Sequence, residues 1–392
     1  HVNEVRIIDD SGRRIKTTDD SFASAKSDTD QLQALIAYIC SEAVKNGISK
    51  PASPWKPELP EKISLGAMLT ESTFDGNRWG EASDGLRTPI GIYDIPSKQE
   101  QDIQYIDLAE EGHLGIYGTS GTGKTTLLKT IICSYCLNYS PADVNIYILD
   151  CGGWSMGRLL CLPHVGGVAL DSEEEKFEKF PKMISDELSH RKSLFAKNSV
   201  GTLTAYRKNV ADDIPAIIIA IDNIVPMFDL YPDMEPFLVT LAREGASFGI
   251  YLIYTANSTS GVRYKVQQNI KNAIAFELTD KGDYSTLVGK IDGLPLPHNP
   301  GRAFFKGNPP VTFQSALYSS GSTEAEMNAS LLEIAKTMAE KWNGPLPRPI
   351  PVMPDTVTAD NLKNEYNNRY LIPVGIDNSS LVTAFADMTD NY

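Results

Sequence analysis

A glycine-rich segment, Gly118–Thr125, carries the clearest chemical signal in the sequence. Its residues, Gly-Thr-Ser-Gly-Thr-Gly-Lys-Thr, match the pattern GxxxxGK[ST], with an apolar run before it and a helical pattern after it. The glycines let the backbone curl so that successive N–H groups point at phosphate oxygens near a helix N-terminus. Lys124 can reach the β- and γ-phosphates, and the Thr125 hydroxyl can ligate Mg²⁺. We therefore predict that ATP and Mg²⁺ are bound by Gly118, Thr119, Ser120, Gly121, Thr122, Gly123, Lys124, Thr125 and Thr126.

A second candidate for metal chemistry is Asp222, which follows the apolar run Ala216–Ile221. An aspartate at the end of a buried strand beside the phosphate-binding loop can accept a hydrogen bond from a magnesium-bound water. An isolated aspartate at a strand end more commonly forms a turn, but its combination with the loop favours the metal role. We predict that Thr125 and Asp222 together hold Mg²⁺, the aspartate through water.

The next residue, Asn223, stands where a hydrolytic enzyme of this type needs a carboxylate. An amide can hydrogen-bond the attacking water but cannot take its proton, so the general-base contribution is expected to be lost. Glu235 and Glu244 remain open as substitutes, because the sequence gives no geometric reason to choose either. Asn257, just past another apolar run, is a candidate sensor of the γ-phosphate, or simply a turn residue. The sequence predicts ATP binding with weak or absent hydrolysis.

Short apolar runs alternate with helical patterns through the middle of the chain, as in a parallel sheet covered on both faces. The predicted strands are Leu114–Tyr117, Val144–Leu149, Ala216–Ile221, Tyr251–Thr255 and Ala273–Phe276. The predicted helices lie around Thr125–Cys136, Glu174–Ala196 and Glu235–Gly245. We predict an α/β fold of the RecA-like P-loop NTPase type, with a mostly parallel sheet and linker segments from adjacent tandem domains.

Two proline clusters follow helical patterns at 29–45 and 323–342, and the two regions resemble each other. The clusters are Pro51, Pro54, Pro57 and Pro60, and Pro345, Pro347, Pro349, Pro351 and Pro354, which we interpret as extended linkers outside the domain cores. Residues 88–92 align with 372–376, and 105–108 align with 385–388. We predict a tandem array with a period of about 290 residues. The predicted division is a preceding domain's tail and linker (1–60), one ATPase domain (61–320), and a helix, linker and first strands of the next domain (321–392).

Composition excludes several other classes. With 36 Lys and Arg against 50 Asp and Glu, the net charge of −14 makes the chain a poor general binder of nucleic acid. The longest apolar run, Ala216–Ile221, is far too short to span a bilayer. Five cysteines argue against a disulfide scaffold, and Cys133 and Cys136 are expected to be small core residues of a helix. The polar start without methionine suggests a segment of a longer protein.

The motifs outside the phosphate-binding loop resemble those of one known group. Residues 149–153 (Leu-Asp-Cys-Gly-Gly) and 162–168 (Leu-Pro-His-Val-Gly-Gly-Val) are similar to segments of the FtsK/SpoIIIE-type ATPase domains in EssC/EccC proteins of bacterial type VII secretion. The segments 187–195, 242–250 and 300–302 follow in the same order, so the resemblance covers about 105–318. The whole looks most like the second of three ATPase domains, with the tail beginning the third.

Three positions depart from the active members of that group. Besides Asn223, Asn257 stands where many relatives have glutamine, and Ser285 occupies the place of an arginine that acts in trans. Because an arginine finger contributes orders of magnitude to rate, its absence agrees with the loss of the base. The resemblance implies a regulatory or cargo-docking module for WXG100-type secreted proteins, on the cytoplasmic face of the cell membrane. It also implies contact with neighbouring ATPase domains of the same chain and a homo-oligomeric machine.

Two other functions share these motifs. A DNA-translocating motor of the FtsK/SpoIIIE or conjugative-coupling type would have the same loop and fold. The charge of −14 and the lack of a Lys/Arg-rich terminal module argue against it, so no DNA partner is expected. A scaffold that has lost nucleotide binding is disfavoured by the intact Gly118–Thr125 motif.

Overall fold

The computed structural model describes residues 8–13, 30–48, 56–68, 73–80, 85–211, 213–291, 293–294, 296–354, 356–358, 362, 370–378 and 381–389. The chain separates into two compact units, His1–Trp55 and Lys56–Tyr392. In the first unit, helix α1 begins after Asp30, whose carboxylate accepts a hydrogen bond from the Gln33 N–H. The Asp30 N–H in turn donates to the Gln33 side-chain oxygen Oε1 at 3.3 Å, which completes a capping box. Of the first proline cluster, Pro51 and Pro54 lie outside the described residues.

The described helices and strands include the alternating elements that the sequence predicts in the middle of the chain, together with others that it does not predict. The helices are α1 (Gln31–Lys45), α2 (Leu108–Glu111), α3 (Lys124–Asn138), α4 (Glu174–Lys197), α5 (Leu203–Asn209), α6 (Ile224–Leu230), α7 (Met234–Glu244), α8 (Tyr264–Gln267), α9 (Lys281–Leu287) and α10 (Glu324–Lys341). The strands are β1 (Ile63–Ser64), β2 (Arg87–Ile95), β3 (Glu100–Asp107), β4 (Leu114–Tyr117), β5 (Val144–Asp150), β6 (Val165–Leu170), β7 (Ala216–Asp222), β8 (Ile250–Ala256), β9 (Asn272–Ala275), β10 (Arg302–Phe305), β11 (Val311–Leu317), β12 (Leu371–Ile376) and β13 (Thr383–Asp387).

One large, mostly parallel sheet organises the second unit. Its strands lie in the order β3-β2-β11-β10-β9-β4-β8-β7-β5-β6, with β1 pairing with β11. The parallel part of the sheet consists of β9, β4, β8, β7, β5 and β6. The antiparallel extension consists of β3, β2, β11 and β10. Strands β4, β5, β7 and β8 are continuously buried, as strands covered on both faces must be.

Two apolar clusters occupy opposite faces of this sheet. One includes Leu127 and Ile131 of α3 and Leu331 of α10. The other includes Phe180 of α4 and Leu238 of α7. Cys133 and Cys136 are buried within α3, as small core side chains should be. The predicted α/β class with helices on both faces is thus confirmed.

The second proline cluster does not behave as a linker outside the core, which corrects the sequence interpretation. Ile350 is buried against the sheet, and the Tyr147 hydroxyl donates to the Arg348 carbonyl at 2.7 Å. A Cβ atom on Gly166 would lie 2.9 Å from the Arg348 carbonyl oxygen, and one on Gly167 would lie 2.7 Å from Ile350 Cγ1. The segment therefore packs across the edge strand β6 because two glycines leave room for it.

The aligned sequence segments form hairpins with the same register. In β2–β3, Pro89 pairs with Tyr105, and the register shifts between Pro89 and Gly91. In β12–β13, Pro373 pairs with Phe385, and the register shifts between Pro373 and Gly375. The sequence repeat therefore has a structural counterpart that includes the bulge.

Among the described residues, no helix is long and apolar enough to cross a membrane.

Candidate nucleotide-binding site

A polar pocket of about 310 Å³ lies at the carboxyl ends of β4, β5, β7 and β8, the central strands of the sheet. Ligands bind at this edge in open parallel sheets, because the loops and helix N-termini meet there. The pocket is lined by Ser120, Gly121, Gly123, Lys124, Thr125, Thr126, Gly152, Asp222, Asn223, Thr255 and Asn257. The fold thus brings together the segments that the sequence singles out for nucleotide chemistry.

Backbone hydrogen bonds hold the first two residues of the glycine-rich loop, whereas the N–H groups at its tip have no backbone partner among the described residues. The Gly118 N–H donates to the Ala256 carbonyl at 3.2 Å, and the Thr119 N–H donates to the Glu277 carbonyl at 2.8 Å. Within the described part of the chain, the N–H groups of residues 120–123 form no backbone hydrogen bond. Gly121 and Gly123 have φ values of +81° and +109°, which other residues rarely adopt. The tip therefore presents unpaired donors of the kind that bind phosphate.

Lys124 lies beside these donors at the start of α3. Its Nζ donates to the Thr119 carbonyl oxygen at 2.8 Å, so the side chain folds back over the loop. Burial lowers the pKa of Lys124 below its ordinary value, and the nearby Asp222 carboxylate opposes that shift. A half-buried ammonium group in this position suits an anionic ligand.

Thr125 and Asp222, the two residues predicted to hold Mg²⁺, meet in the pocket. The Thr125 hydroxyl lies 3.0 Å from both carboxylate oxygens of Asp222. Asp222 is 2 % exposed, and burial raises its pKa, whereas hydrogen bonds from Thr255 and Thr125 act in the opposite direction. The pair supplies one hydroxyl and one carboxylate, the oxygen ligands that Mg²⁺ prefers.

Asn223 has a strained backbone and an engaged side chain. Its φ is +57°, a left-handed conformation that asparagine tolerates better than most residues. Its Nδ2 donates to the Cys151 carbonyl at 3.3 Å. Asn257 is exposed at the rim of the pocket. Both lie where the sequence predicts, and their catalytic roles stay predictions.

The two glutamates left open as substitutes for the base are engaged elsewhere. Glu235 pairs with Arg263 at 3.3 Å, and Glu244 pairs with Lys192 and Arg243. Neither glutamate lines the nucleotide pocket.

Sequence reasoning missed two supports of this site. Asp150 accepts N–H groups from Gly152 at 3.0 Å and Met156 at 2.9 Å, which folds the loop after β5 against Asp222. Thr255 donates its hydroxyl hydrogen to Asp222 Oδ1 at 2.7 Å. The Asp-x-Gly-Gly motif signals the first support, but a threonine in an apolar strand gives no signal, because it is also a common strand former.

The pocket fits a magnesium–nucleotide complex. Unpaired N–H groups, the ammonium group of Lys124 and the positive end of the 15-residue helix α3 converge on one anion-sized space. Thr125 and Asp222 would hold the metal ion.

Comparison with known proteins agrees with this geometry. A sequence model described as "FtsK/SpoIIIE family" matches residues 81–292, more than half of the chain. The chain belongs to the FtsK/SpoIIIE family. It is 29% identical, over 389 residues, to the "ESX secretion system protein EccC" of Geobacillus thermodenitrificans, covering 97% of this chain. It spans 25% of that relative's length.

Two solved structures of EssC and EccC ATPase domains share the fold of this FtsK/SpoIIIE domain. EssC (ATPases 2 and 3) from Geobacillus thermodenitrificans has a TM-score of 0.75 and 28% identity, over 86% of this chain and 63% of that one. Thermomonospora curvata EccC (ATPases 2 and 3), in complex with a signal sequence peptide, has a TM-score of 0.72 and 26% identity, over 86% and 62%. The resemblance drawn from the sequence motifs is confirmed.

Proposed function

We propose that this FtsK/SpoIIIE domain is an ATP-binding module of a type VII secretion machine that hydrolyses ATP slowly or not at all. The observation that carries the proposal is a complete phosphate cradle beside Asn223, which has no carboxylate to accept a proton. Glu235 and Glu244, the two glutamates left open as substitute bases, are engaged in ion pairs outside the pocket. Binding is therefore supported by the geometry, whereas proton transfer from water is not.

The chain's own residues account for tight, oriented binding. The N–H groups of residues 120–123 and the Lys124 ammonium group surround the phosphates, and Thr125 with Asp222 holds the metal ion. When bound, Mg²⁺ neutralises phosphate charge and orients the γ-phosphate. Asn223 lines the same pocket and can hydrogen-bond a water without deprotonating it.

ATP affinity and turnover test this function. Wild type should bind ATP with Mg²⁺ and show turnover far below 1 s⁻¹, a low value for an enzyme. Lys124→Ala should weaken ATP binding by at least about tenfold, because it removes the cation that faces the phosphates. Rapid wild-type turnover would disprove the weak-hydrolysis proposal, and equal affinity of the two proteins would disprove the assigned site.

Cargo docking is a second role that one surface feature favours. A depression of about 640 Å³ is lined by Tyr117, Val262, Tyr264, Ile270, Lys271, Ala273, Leu287 and Lys306, among others. Tyr264 is 76% exposed there, although tyrosine rings are normally packed on one side. The depression combines apolar side chains with uncharged polar side chains and two lysines, which suits an amphipathic peptide that carries negative charge. We propose that this depression receives the C-terminal tail of a WXG100-type protein.

Fluorescence anisotropy with a labelled WXG100 tail peptide tests the docking role. Tyr264→Ser should weaken binding by about tenfold or more, as the loss of an aromatic anchor does. Leu160→Ser, which removes an exposed apolar side chain outside the depression, should leave it unchanged. Equal affinity of wild type and Tyr264→Ser would contradict the proposal.

The setting of the module is proposed from the same resemblance. We place it at the cytoplasmic face of the membrane, next to further ATPase domains of its own chain and in a homo-oligomeric machine. The net charge of −14 supports protein cargo over DNA. Tight DNA binding at physiological salt would instead indicate a DNA-translocating or conjugative motor.

A further inference from the structure

Thr255 is on β8, which lies between β4 and β7, the strands that lead to the glycine-rich loop and to Asp222. It is the penultimate residue of β8 and pairs with Ile116 of the P-loop strand β4. On the other side, its neighbour Tyr254 pairs with Ile221, next to Asp222 at the end of β7. Thr255 is 1% exposed and lines the nucleotide pocket. Its hydroxyl thus sits at the junction of the phosphate loop and the metal-binding aspartate.

That hydroxyl makes two bonds to consecutive residues. It donates to Asp222 Oδ1 at 2.7 Å and accepts the Asn223 N–H at 2.7 Å. A hydroxyl has a single hydrogen, so its donor capacity is fully used by the carboxylate. The same oxygen supports the backbone of Asn223 in its left-handed conformation at φ +57°. One side chain therefore fixes both the carboxylate and the residue beside it.

The carboxylate has few other restraints. Thr125 also bonds Asp222, at 3.0 Å to each oxygen, but its hydroxyl is the group that a metal ion would engage. The bond from Thr255 involves Oδ1 and is the shorter of the two, at 2.7 Å. Among the described side chains, the Thr125 hydroxyl alone donates a hydrogen bond to Asp222 Oδ2. Oδ2 is therefore the carboxylate oxygen that remains for a water bound to Mg²⁺.

We propose that Thr255 is a positioning residue for metal-bound nucleotide: its hydroxyl holds the Asp222 carboxylate in the orientation that Mg²⁺ uses. The inference rests on the proposed ATP-binding function and assigns part of it to a residue outside the glycine-rich loop. Thr255 acts through Asp222, so its removal should reduce the gain in ATP affinity that Mg²⁺ provides. Affinity in the absence of the metal ion should change little.

The test is ATP affinity measured with Mg²⁺ and with EDTA. In Thr255→Val, which keeps the shape and removes the hydroxyl, the Mg²⁺-dependent gain should fall about tenfold, as the loss of a hydrogen bond to a charged group predicts. Its affinity in EDTA should stay within about twofold of wild type. Thr255→Ser should restore the gain, because it returns the hydroxyl.

Thr130→Val is the matched control. Thr130 is another fully buried threonine, whose hydroxyl donates to the Thr126 and Ala316 carbonyls and which does not itself line the pocket. This variant should lose stability without losing the Mg²⁺-dependent gain. An equal loss in Thr130→Val, or an unchanged gain in Thr255→Val, would overturn the proposal.

Two further measurements keep the test decisive. Circular dichroism establishes that each variant is folded, and Thr255→Cys, which keeps the volume with a weak donor, replaces Thr255→Val if that protein does not fold. Wild type that binds no ATP under either condition would refute the proposed function itself. Wild type that binds with a metal-dependent gain, unaffected by Thr255→Val, would refute the role of Thr255 alone.

Discussion

Gly152 lies so close to Asp222 that a Cβ atom on the glycine would be 2.3 Å from the Asp222 Oδ2 atom. Asp150 enforces the approach, because its carboxylate accepts the Gly152 N–H at 3.0 Å and the Met156 N–H at 2.9 Å. The Asp-x-Gly-Gly motif therefore helps to shape the nucleotide site. It places the backbone of Gly152 against the Asp222 carboxylate. Only glycine fits there, because any side chain would collide with that carboxylate.

Gly152→Ala is predicted to displace the Asp222 carboxylate. The added methyl group has no space, so the variant should lose about 1–3 kcal/mol of unfolding free energy and most of its Mg²⁺-dependent ATP affinity. Urea unfolding and ATP titration measure the two effects. Gly157→Ala is the control, since a Cβ there meets nothing within 4 Å and should cost little. Normal metal-dependent binding by Gly152→Ala would contradict the steric argument.

The central strands were predictable because burial on both faces leaves a continuous apolar run. Strand β4 matches its prediction at both ends, and β7 extends one residue farther, to Asp222. Strand β6 was missed, because Gly166 and Gly167 interrupt its apolar pattern. Those glycines are required by Arg348 and Ile350, which lie far along the chain and pack against them. A local pattern cannot reveal a contact of that separation.

Part of the site was predictable for a different reason. The glycine-rich loop and Asp222 have fixed residue types, because phosphate and Mg²⁺ chemistry demands them. Thr255 could not be recognised, since its hydroxyl is identified as a ligand of Asp222 only once β7 and β8 are adjacent. The site's chemistry was therefore visible in the sequence, whereas its supports depend on strand order.

Arg191 shows a related limit of pattern analysis. Glu187 and Arg191 are spaced i,i+4 along α4 and pair at 2.7 Å, but Arg191 is only 1% exposed. Its guanidinium group also donates to the Phe248 and Pro215 carbonyls, each at 2.9 Å. The spacing alone does not reveal this burial, because α4 turns the side chain towards the amino ends of β7 and β8.

Arg191→Met should therefore be strongly destabilising. It leaves two partly buried carbonyl groups without this donor and removes a buried guanidinium group, which predicts a loss of about 2–4 kcal/mol of unfolding free energy in urea. Glu187→Gln, which alters only the partly exposed partner, should cost less than about 1 kcal/mol. Similar losses for the two variants would show that the ion pair, rather than the carbonyl bonds, matters.

Asn223→Asp tests whether a missing base limits hydrolysis. Aspartate tolerates the left-handed conformation of residue 223, so the backbone should be retained. Single-turnover ATP hydrolysis should rise by about tenfold or more, since a positioned base typically contributes about 10²–10⁴-fold, and the resemblance places Ser285 where active relatives have the arginine. Asn223→Glu should gain less, because glutamate fits this conformation poorly. Asn223→Ala, which also lacks a base, should gain nothing; an equal rise there would exclude base chemistry as the cause.

His164 makes a prediction about pH. It is fully buried; its Nε2 donates to the Tyr139 carbonyl at 2.7 Å, and burial lowers its pKa to about 4. The folded protein therefore resists protonation that the unfolded chain accepts near pH 6.5. The stability that depends on neutral His164 is complete above about pH 6.5 and is lost as the pH falls towards 4.

His164→Gln should remove this pH dependence, because its amide can donate to the same carbonyl and does not titrate. Between pH 7 and pH 4, unfolding free energy should fall less in the variant than in wild type, by on the order of 3 kcal/mol. Burial also lowers the pKa of His113 to about 4 and raises the pKa of Glu111 to about 7. Wild type and variant share these two groups, so their contributions to the pH dependence cancel in the comparison. Urea unfolding across this range measures the difference. Parallel pH profiles would show that His164 is protonated in the folded state at no cost, contrary to its burial.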